Sequence, residues 1–214
     1  MPGAMSRSLA TKIMFFLMAT FVAMVIWGVY NAASRKLDAM EEDARVHTAA
    51  LGGVPILVPT PRGFTRIAPL PATIDDITVL LTFSGRRNGK DGSRFLALTQ
   101  LDSFADAQLE PEDFEAMKEA ILEYIGFEDE ADSAAPVRIV ENTEEALTLE
   151  IKGQLPVTDK PALATTAYES YSLVQAKLLR LTSVSIASGD QTPPDTLQPL
   201  REWRIAIQAA NQPK

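Results

Sequence analysis

The sequence predicts an α+β domain carried behind one membrane-spanning helix. Three observations point there. Ile13–Tyr30 is an uncharged apolar run; segments beyond Val54 carry strand patterns joined by turn residues; two amphipathic stretches separate and close them. The chain has 214 residues with a net charge of −8 and a mean hydropathy of +0.02. Neither average describes a real part of it. All 28 acidic residues fall after Tyr30, and Arg7 and Lys12 are the only basic residues before it.

Ile13–Tyr30 reads IMFFLMATFVAMVIWGVY, 18 residues, about 27 Å of helix against a hydrocarbon core of about 30 Å. Lys12 snorkels at one end, and Trp27 and Tyr30 suit the other interface. The run exceeds the apolar region of a signal peptide, and Ala32-Ala33-Ser34 is a mediocre cleavage site, so a retained anchor is expected over a cleaved leader. No acidic residue precedes Asp38, which excludes a pilin-type helix. Basic residues flank the span almost evenly (Arg7 and Lys12, then Arg35 and Lys36). The short tail before it and the acidic domain after it favour an N-terminus in the cytoplasm. The expected organisation is a tail at 1–12, an anchor at 13–30, a helical stalk or linker at 31–53 and a soluble domain at 54–214. The expected location is a bacterial inner membrane with the domain outside the cytoplasm.

In the stalk, Leu37, Met40 and Ala44 recur at helical spacing, and Leu51-Gly52-Gly53 reads as a helix stop. His47, the one histidine, reads as a solvated linker residue. Ala19 and Ala23 make a small-xxx-small pair, so a homodimer through anchor and stalk is open.

Beyond the stalk, Val54–Val58 and Phe64–Ile67 are short strands around a Pro61–Gly63 turn. Ile77–Ser84 and Arg94–Leu101 form a hairpin. Pro111–Ile125 is a helix: Pro111 fits its first turn, Glu112 and Asp113 suit its positive end, and Gly126 ends it. Phe114, Met117, Ile121, Tyr124 and Ile125 make its apolar face. Val137–Glu141 with Ala146–Lys152, and Ala167–Gln175 with Leu178–Ala187, are two more hairpins. A closing helix from about Thr196 to Asn211 buries Leu200, Trp203, Ile207 and Ala210. Hairpins between two separated helices make an antiparallel sheet with helices packed on it.

A strand–turn–strand unit at Tyr168–Ala187 precedes a closing helix with Leu200, Arg201, Glu202, Trp203 and Ala210-Asn211, and the domain opens on VPILVPTPRGF at Val54–Phe64. On these features the chain, over about residues 54–211, resembles small bacterial envelope proteins of the PsbP-like or DcrB-like α/β/α sandwich group. The resemblance implies a membrane-tethered accessory domain and brings no catalytic residues with it.

The chemistry available is narrow. With no cysteine there are no disulfides, thiolate metal sites or cysteine nucleophiles, and one histidine cannot build a multi-histidine metal site. The acidic balance argues against nucleic acid. Arg86, Arg87, Lys90 and Arg94 in a glycine-bearing turn are the candidate anion or partner contact. The spacing is not that of a Walker loop, and Asp91 stands where the magnesium-binding Ser or Thr belongs. Glu128–Asp132 does not fit a calcium loop. Asp75-Asp76 and Glu144-Glu145 are adjacent pairs, which alternate faces on a strand and do not converge. Tyr168, Tyr171 and Trp203 read as packing residues, and no G-x-S-x-G elbow occurs. No catalytic residue, cofactor or metal is expected. The reading is a single-pass envelope protein whose domain binds a partner protein, a small ligand or the membrane surface. The alternative is a carboxylate-dependent hydrolase.

Overall fold

The computed structural model describes residues 46–67, 73–74, 76–85, 93–126, 137–157, 160–187 and 191–212. The expected anchor at 13–30 lies outside them. Among the described residues no helix is long and apolar enough to cross a membrane. The fold is α+β: a large, wholly antiparallel sheet, a separate hairpin and two main helices.

The hairpin comes first, and it corrects the expected stalk. Val46–Leu51 is a strand, β1, not the end of a helix, and it pairs with β2 (Val54–Pro59). Gly52 and Gly53 have φ of +55° and +75°. Two consecutive residues of positive φ make the turn that suits a two-residue hairpin, so the glycines close a hairpin where a helix stop was expected. Gly52 is also packed against backbone. A Cβ there would stand 2.0 Å from the Ala105 carbonyl oxygen, and its N–H donates to Gln100 Oε1 at 2.7 Å. Gly52→Ala therefore costs on the order of 2–3 kcal/mol, from strain at positive φ plus overpacking. Gly53→Ala, with open space around its position, costs the strain alone. Urea midpoints for the two variants give the comparison.

The main sheet runs β3 (Phe64–Ile67), β5 (Ile77–Gly85), β6 (Ser93–Leu101), β10 (Lys177–Ile186), β9 (Lys160–Val174), β8 (Ala146–Val157), β7 (Val137–Asn142), with the two-residue β4 (Thr73–Ile74) also on β5. The expected hairpins are its β5–β6, β7–β8 and β9–β10 pairs. The helices are α1 (Pro111–Gly126) and α2 (Leu197–Ala210).

Side-chain alternation assigns each helix a face. Leu81, Phe83, Leu96, Leu98, Leu179 and Leu181 point to one side and meet Leu200, Trp203 and Ile207 of α2, together with Leu51, Ile56 and Val58 of the hairpin. Leu147, Leu149, Tyr171 and Leu178 point to the other and meet Phe114 of α1, with Met117 and Ile121 beside it. β10 lies in the middle and is buried at every residue, which explains why its period-2 pattern shows no polar face.

α2 also shields the outer edge of β2. Pro55 and Pro59 have no N–H to offer there. The Leu57 N–H between them donates to Asn211 Oδ1 at 2.8 Å, and Asn211 Nδ2 donates back to the Leu57 carbonyl at 2.7 Å. Trp203 Nε1 donates to the Pro59 carbonyl at 2.7 Å. Prolines plus one amide thus leave that edge no free N–H at Pro55, Leu57 and Pro59 with which to recruit another strand.

The turn between β9 and β10 is unusual. Gln175 and Ala176 have φ of +50° and +58°, values that favour Asn-Gly at these two places. Ala176→Gly should stabilise the domain by about 1 kcal/mol, read as a rise in melting temperature. An unchanged or lower value would mean that the turn is not of this type.

Candidate functional site

The two ends of the sheet differ. One end, the β1 end, holds the start of β1, the Pro61–Gly63 turn, and Gly85 and Ser93 paired to their neighbours. The other, the turn end, holds the 52–53 and 175–176 turns, the β7–β8 turn, the segment after β6 and the start of α1. Leu109 N–H donates to the Ala176 carbonyl there, and buried Lys177 donates to the Ala105 and Ala107 carbonyls. Asp76, Asp106, Glu110, Glu112, Asp113, Glu144 and Glu145 are all exposed at this turn end.

A cleft of about 410 Å³ opens at the turn end. Four elements distant in sequence wall it: Pro111 and Phe114 of α1, Glu144 and Glu145 of the β7–β8 turn, Leu173–Gln175 at the end of β9, and Gln208, Asn211 and Gln212 at the end of α2. Its chemistry is carboxylates and amides over an apolar floor. Gln175 Nε2 donates to Asn211 Oδ1 at 3.4 Å, and Asn211 Nδ2 donates to the Ile207 carbonyl. Asn211 therefore ends α2, holds β2 and shapes the cleft wall.

Glu144 and Glu145 correct an expectation. The expectation that they do not converge rests on strand alternation, which does not hold in the turn where the hairpin bounds place them, and both line the cleft. The other pair is not a site of this kind: Asp76 accepts from the Ser103 N–H and hydroxyl, and Asp75 is outside the described residues. Glu128–Asp132 also lies outside them.

Of the four basic candidates, Arg86, Arg87 and Lys90 are outside the described residues. Arg94 is half-buried on β6, its guanidinium 5.7 Å from the centre of the Phe64 ring. His47 is not a solvated linker residue. It is 7% exposed and points under the sheet. Its ring lies 5.5 Å from Phe83. Arg66 Nη1 donates to Nδ1 at 3.3 Å, so Nε2 carries the proton and donates to Thr60 Oγ1 at 3.1 Å. The folded domain therefore contains the histidine.

Tyr168, Tyr171 and Trp203 are buried, as the packing reading expects. The two tyrosines cannot share a pocket because they face opposite sides of the sheet. The Tyr168 hydroxyl donates to Glu150 at 3.1 Å; burial, then this carboxylate, pushes it up to about 12. The Tyr171 hydroxyl donates to Glu169 at 2.6 Å, and burial and the Glu169 charge raise it as well.

Sequence reasoning missed two buried charge networks. Arg180 and Glu169 form a 2.6 Å ion pair with exposures of 0% and 4%. Arg204 of α2 holds Glu141 of β7 at 2.7 Å, and Arg201 reaches the same carboxylate at 3.1 Å. Burial would raise the Glu141 carboxyl, but Arg204, with Arg201 and Thr148, outweighs it and holds the group below its ordinary range. A depressed carboxylate contributes stability above its unfolded pKa and loses it as pH falls through the folded value. Glu141→Gln should cost about 2 kcal/mol at pH 7. It should also remove part of the stability loss that the native chain shows below about pH 4.5, read from urea midpoints across pH 3–7. Parallel curves for the two proteins would contradict this.

The fold and the site together define a class: an antiparallel α+β domain with its charged interior locked in ion pairs and an open acidic cleft at one pole. No family model matches the chain, and neither a curated protein nor a solved structure matches it.

Proposed function

We propose that this protein is a noncatalytic binding module, tethered to a bacterial inner membrane by residues 13–30, that presents its turn-end cleft to a partner protein outside the cytoplasm. The observation that carries the reading is the contrast between interior and cleft. Glu141, Glu150 and Glu169 serve as acceptors for Arg204, Arg138 and Arg180, while Glu144 and Glu145 stay exposed over an apolar floor. A carboxylate spent on a structural arginine is poorly placed to shuttle protons, which disfavours the hydrolase alternative.

The corrected domain start adds to this reading. The first described strand begins at Val46, so residues 31–45 would separate the apolar run from it, a reach of at most about 50 Å. The β1 end would then face the bilayer. Gly85 and Ser93, which bracket the segment carrying Arg86, Arg87 and Lys90, stand at that end. Arg62 there is exposed and Arg94 half-buried, so a basic side would meet lipid headgroups and the acidic cleft would point away. The α/β/α layering of PsbP-like and DcrB-like proteins, with their accessory role, suits this arrangement.

The test is a photoreactive side chain at Gln212, on the cleft rim, and at Glu119, on α1 away from it, in the full chain in intact cells. The expected result is a discrete adduct from Gln212 in the membrane fraction and none from Glu119. Equal, diffuse labelling from both would overturn the proposal, and so would recovery of the chain in the soluble fraction.

A further inference from the structure

We infer that the cleft takes a cationic segment of the partner protein, a lysine or arginine whose aliphatic stem lies over Phe114 and Leu173 and whose charged head meets Glu144 and Glu145. This rests on the reading of the cleft as a binding face and adds the chemistry of its occupant.

The cleft is shaped for a group with an apolar stem and a polar end. Its floor carries Phe114, Leu173 and Val174, and its rim carries carboxylates and amides. Long basic side chains have that division, burying methylenes while the head stays polar. The field selects the sign. Glu110, Glu112 and Asp113 stand exposed next to Pro111 in the chain, so the α1 side of the opening adds negative charge to that of Glu144 and Glu145, while the α2 side carries neutral amides. The positive start of α1 would draw an anion, but Asp113 already occupies it: its Oδ2 accepts from the Glu110 N–H at 2.9 Å. The nearest resident cation, Lys118, is buried behind Phe114, its ammonium 5.2 Å from the ring centre, and is spent on the Thr143 carbonyl and on Glu115.

The experiment uses the full chain in nanodiscs of uncharged phosphatidylcholine and a fluorescent nine-residue peptide of alternating lysine and alanine. Its glutamate counterpart serves as the control, and binding is read by anisotropy. The lysine peptide should bind, the glutamate peptide should not, and raising salt from about 0.05 to 0.3 M should weaken the complex. Glu144→Lys with Glu145→Lys should weaken it by about tenfold or more. Glu119→Lys with Glu123→Lys, the same charge change on exposed positions of α1, should stay within about twofold, because a distant exposed charge is screened. Gln208→Trp, which narrows the cleft at constant charge, should weaken binding too. Failure of the lysine peptide to bind, or equal losses in the two lysine double variants, would overturn the inference. A Gln212 adduct that persists beside such a failure leaves the binding module standing with a different occupant; loss of both removes the module as well.

Discussion

Glu169→Ala should lower the stability of the domain by about 3–5 kcal/mol, the cost of stranding one member of a buried ion pair. Arg180 is fully buried, and Glu169 is its 2.6 Å partner. Its remaining contacts are the Thr99 hydroxyl at 3.3 Å and the face of the Tyr171 ring. The guanidinium cannot escape by losing its proton. Burial lowers its pKa, but Glu169 more than reverses this, and an arginine stays protonated in any case. The Tyr171 hydroxyl loses its acceptor in the same variant. Arg180→Met with Glu169→Leu removes both charges and keeps the volume, so it should recover most of the loss. Urea unfolding separates the cases. A loss below about 1 kcal/mol in Glu169→Ala would show that the pair is solvated in the native chain.

Trp203→Ala should cost a similar 3–5 kcal/mol. The side chain is 2% exposed. It meets Phe83 edge to face at 5.3 Å and donates to the Pro59 carbonyl. Removing it leaves a cavity between α2, the hairpin and the sheet, and strands a carbonyl on the edge of β2. Trp203→Phe keeps much of the packing and should cost about half as much. Because α2 carries Gln208 and leads directly into Asn211, the alanine variant should also lose partner binding at temperatures where it is still folded. Crosslinking from Gln212 in the same variant reads this directly.

The hairpins and both helices were legible because they rest on local signals. Pro111 and Gly126 bound α1 as helix chemistry predicts, β-branched and aromatic content marks β5 with β6 as its partner, and period-2 alternation appears in the later half of β10. Where local signals conflict with pairing, pairing wins. β8 runs on to Val157 past Gly153, and β9 begins at Lys160 before Pro161, although Gly and Pro read as breakers there. Eleven registered pairs between these two strands outweigh the local penalty. β1 was hidden by its own composition. His47, Ala49 and Leu51 turn inward and Val46, Thr48 and Ala50 outward, so neither face is distinctly apolar and no period emerges. The helical spacing of the residues before it ran on unopposed. Arg180 and Glu169 read as ordinary strand charges because nothing local says that α1 and the sheet enclose them. The cleft is least legible of all, since α1, the β7–β8 turn, β9 and α2 meet there only after folding.

A tethered module must keep its β1 end towards the membrane and its cleft away from it. The chain has no cysteine, so single cysteines at Arg62, in the turn at the β1 end, and at Gln212, on the cleft rim, can each carry one donor dye. The full chain is reconstituted in vesicles holding an acceptor-labelled lipid. Gln212 follows Asn211, which is bonded to the Leu57 backbone, and Arg62 stands five residues beyond Leu57, so the two sites lie within about 25 Å of each other and the two transfers are compared directly. Transfer from Arg62→Cys should be strong and transfer from Gln212→Cys weak. Equal transfer, or the reverse order, would contradict a tethered module that offers its acidic cleft away from the bilayer.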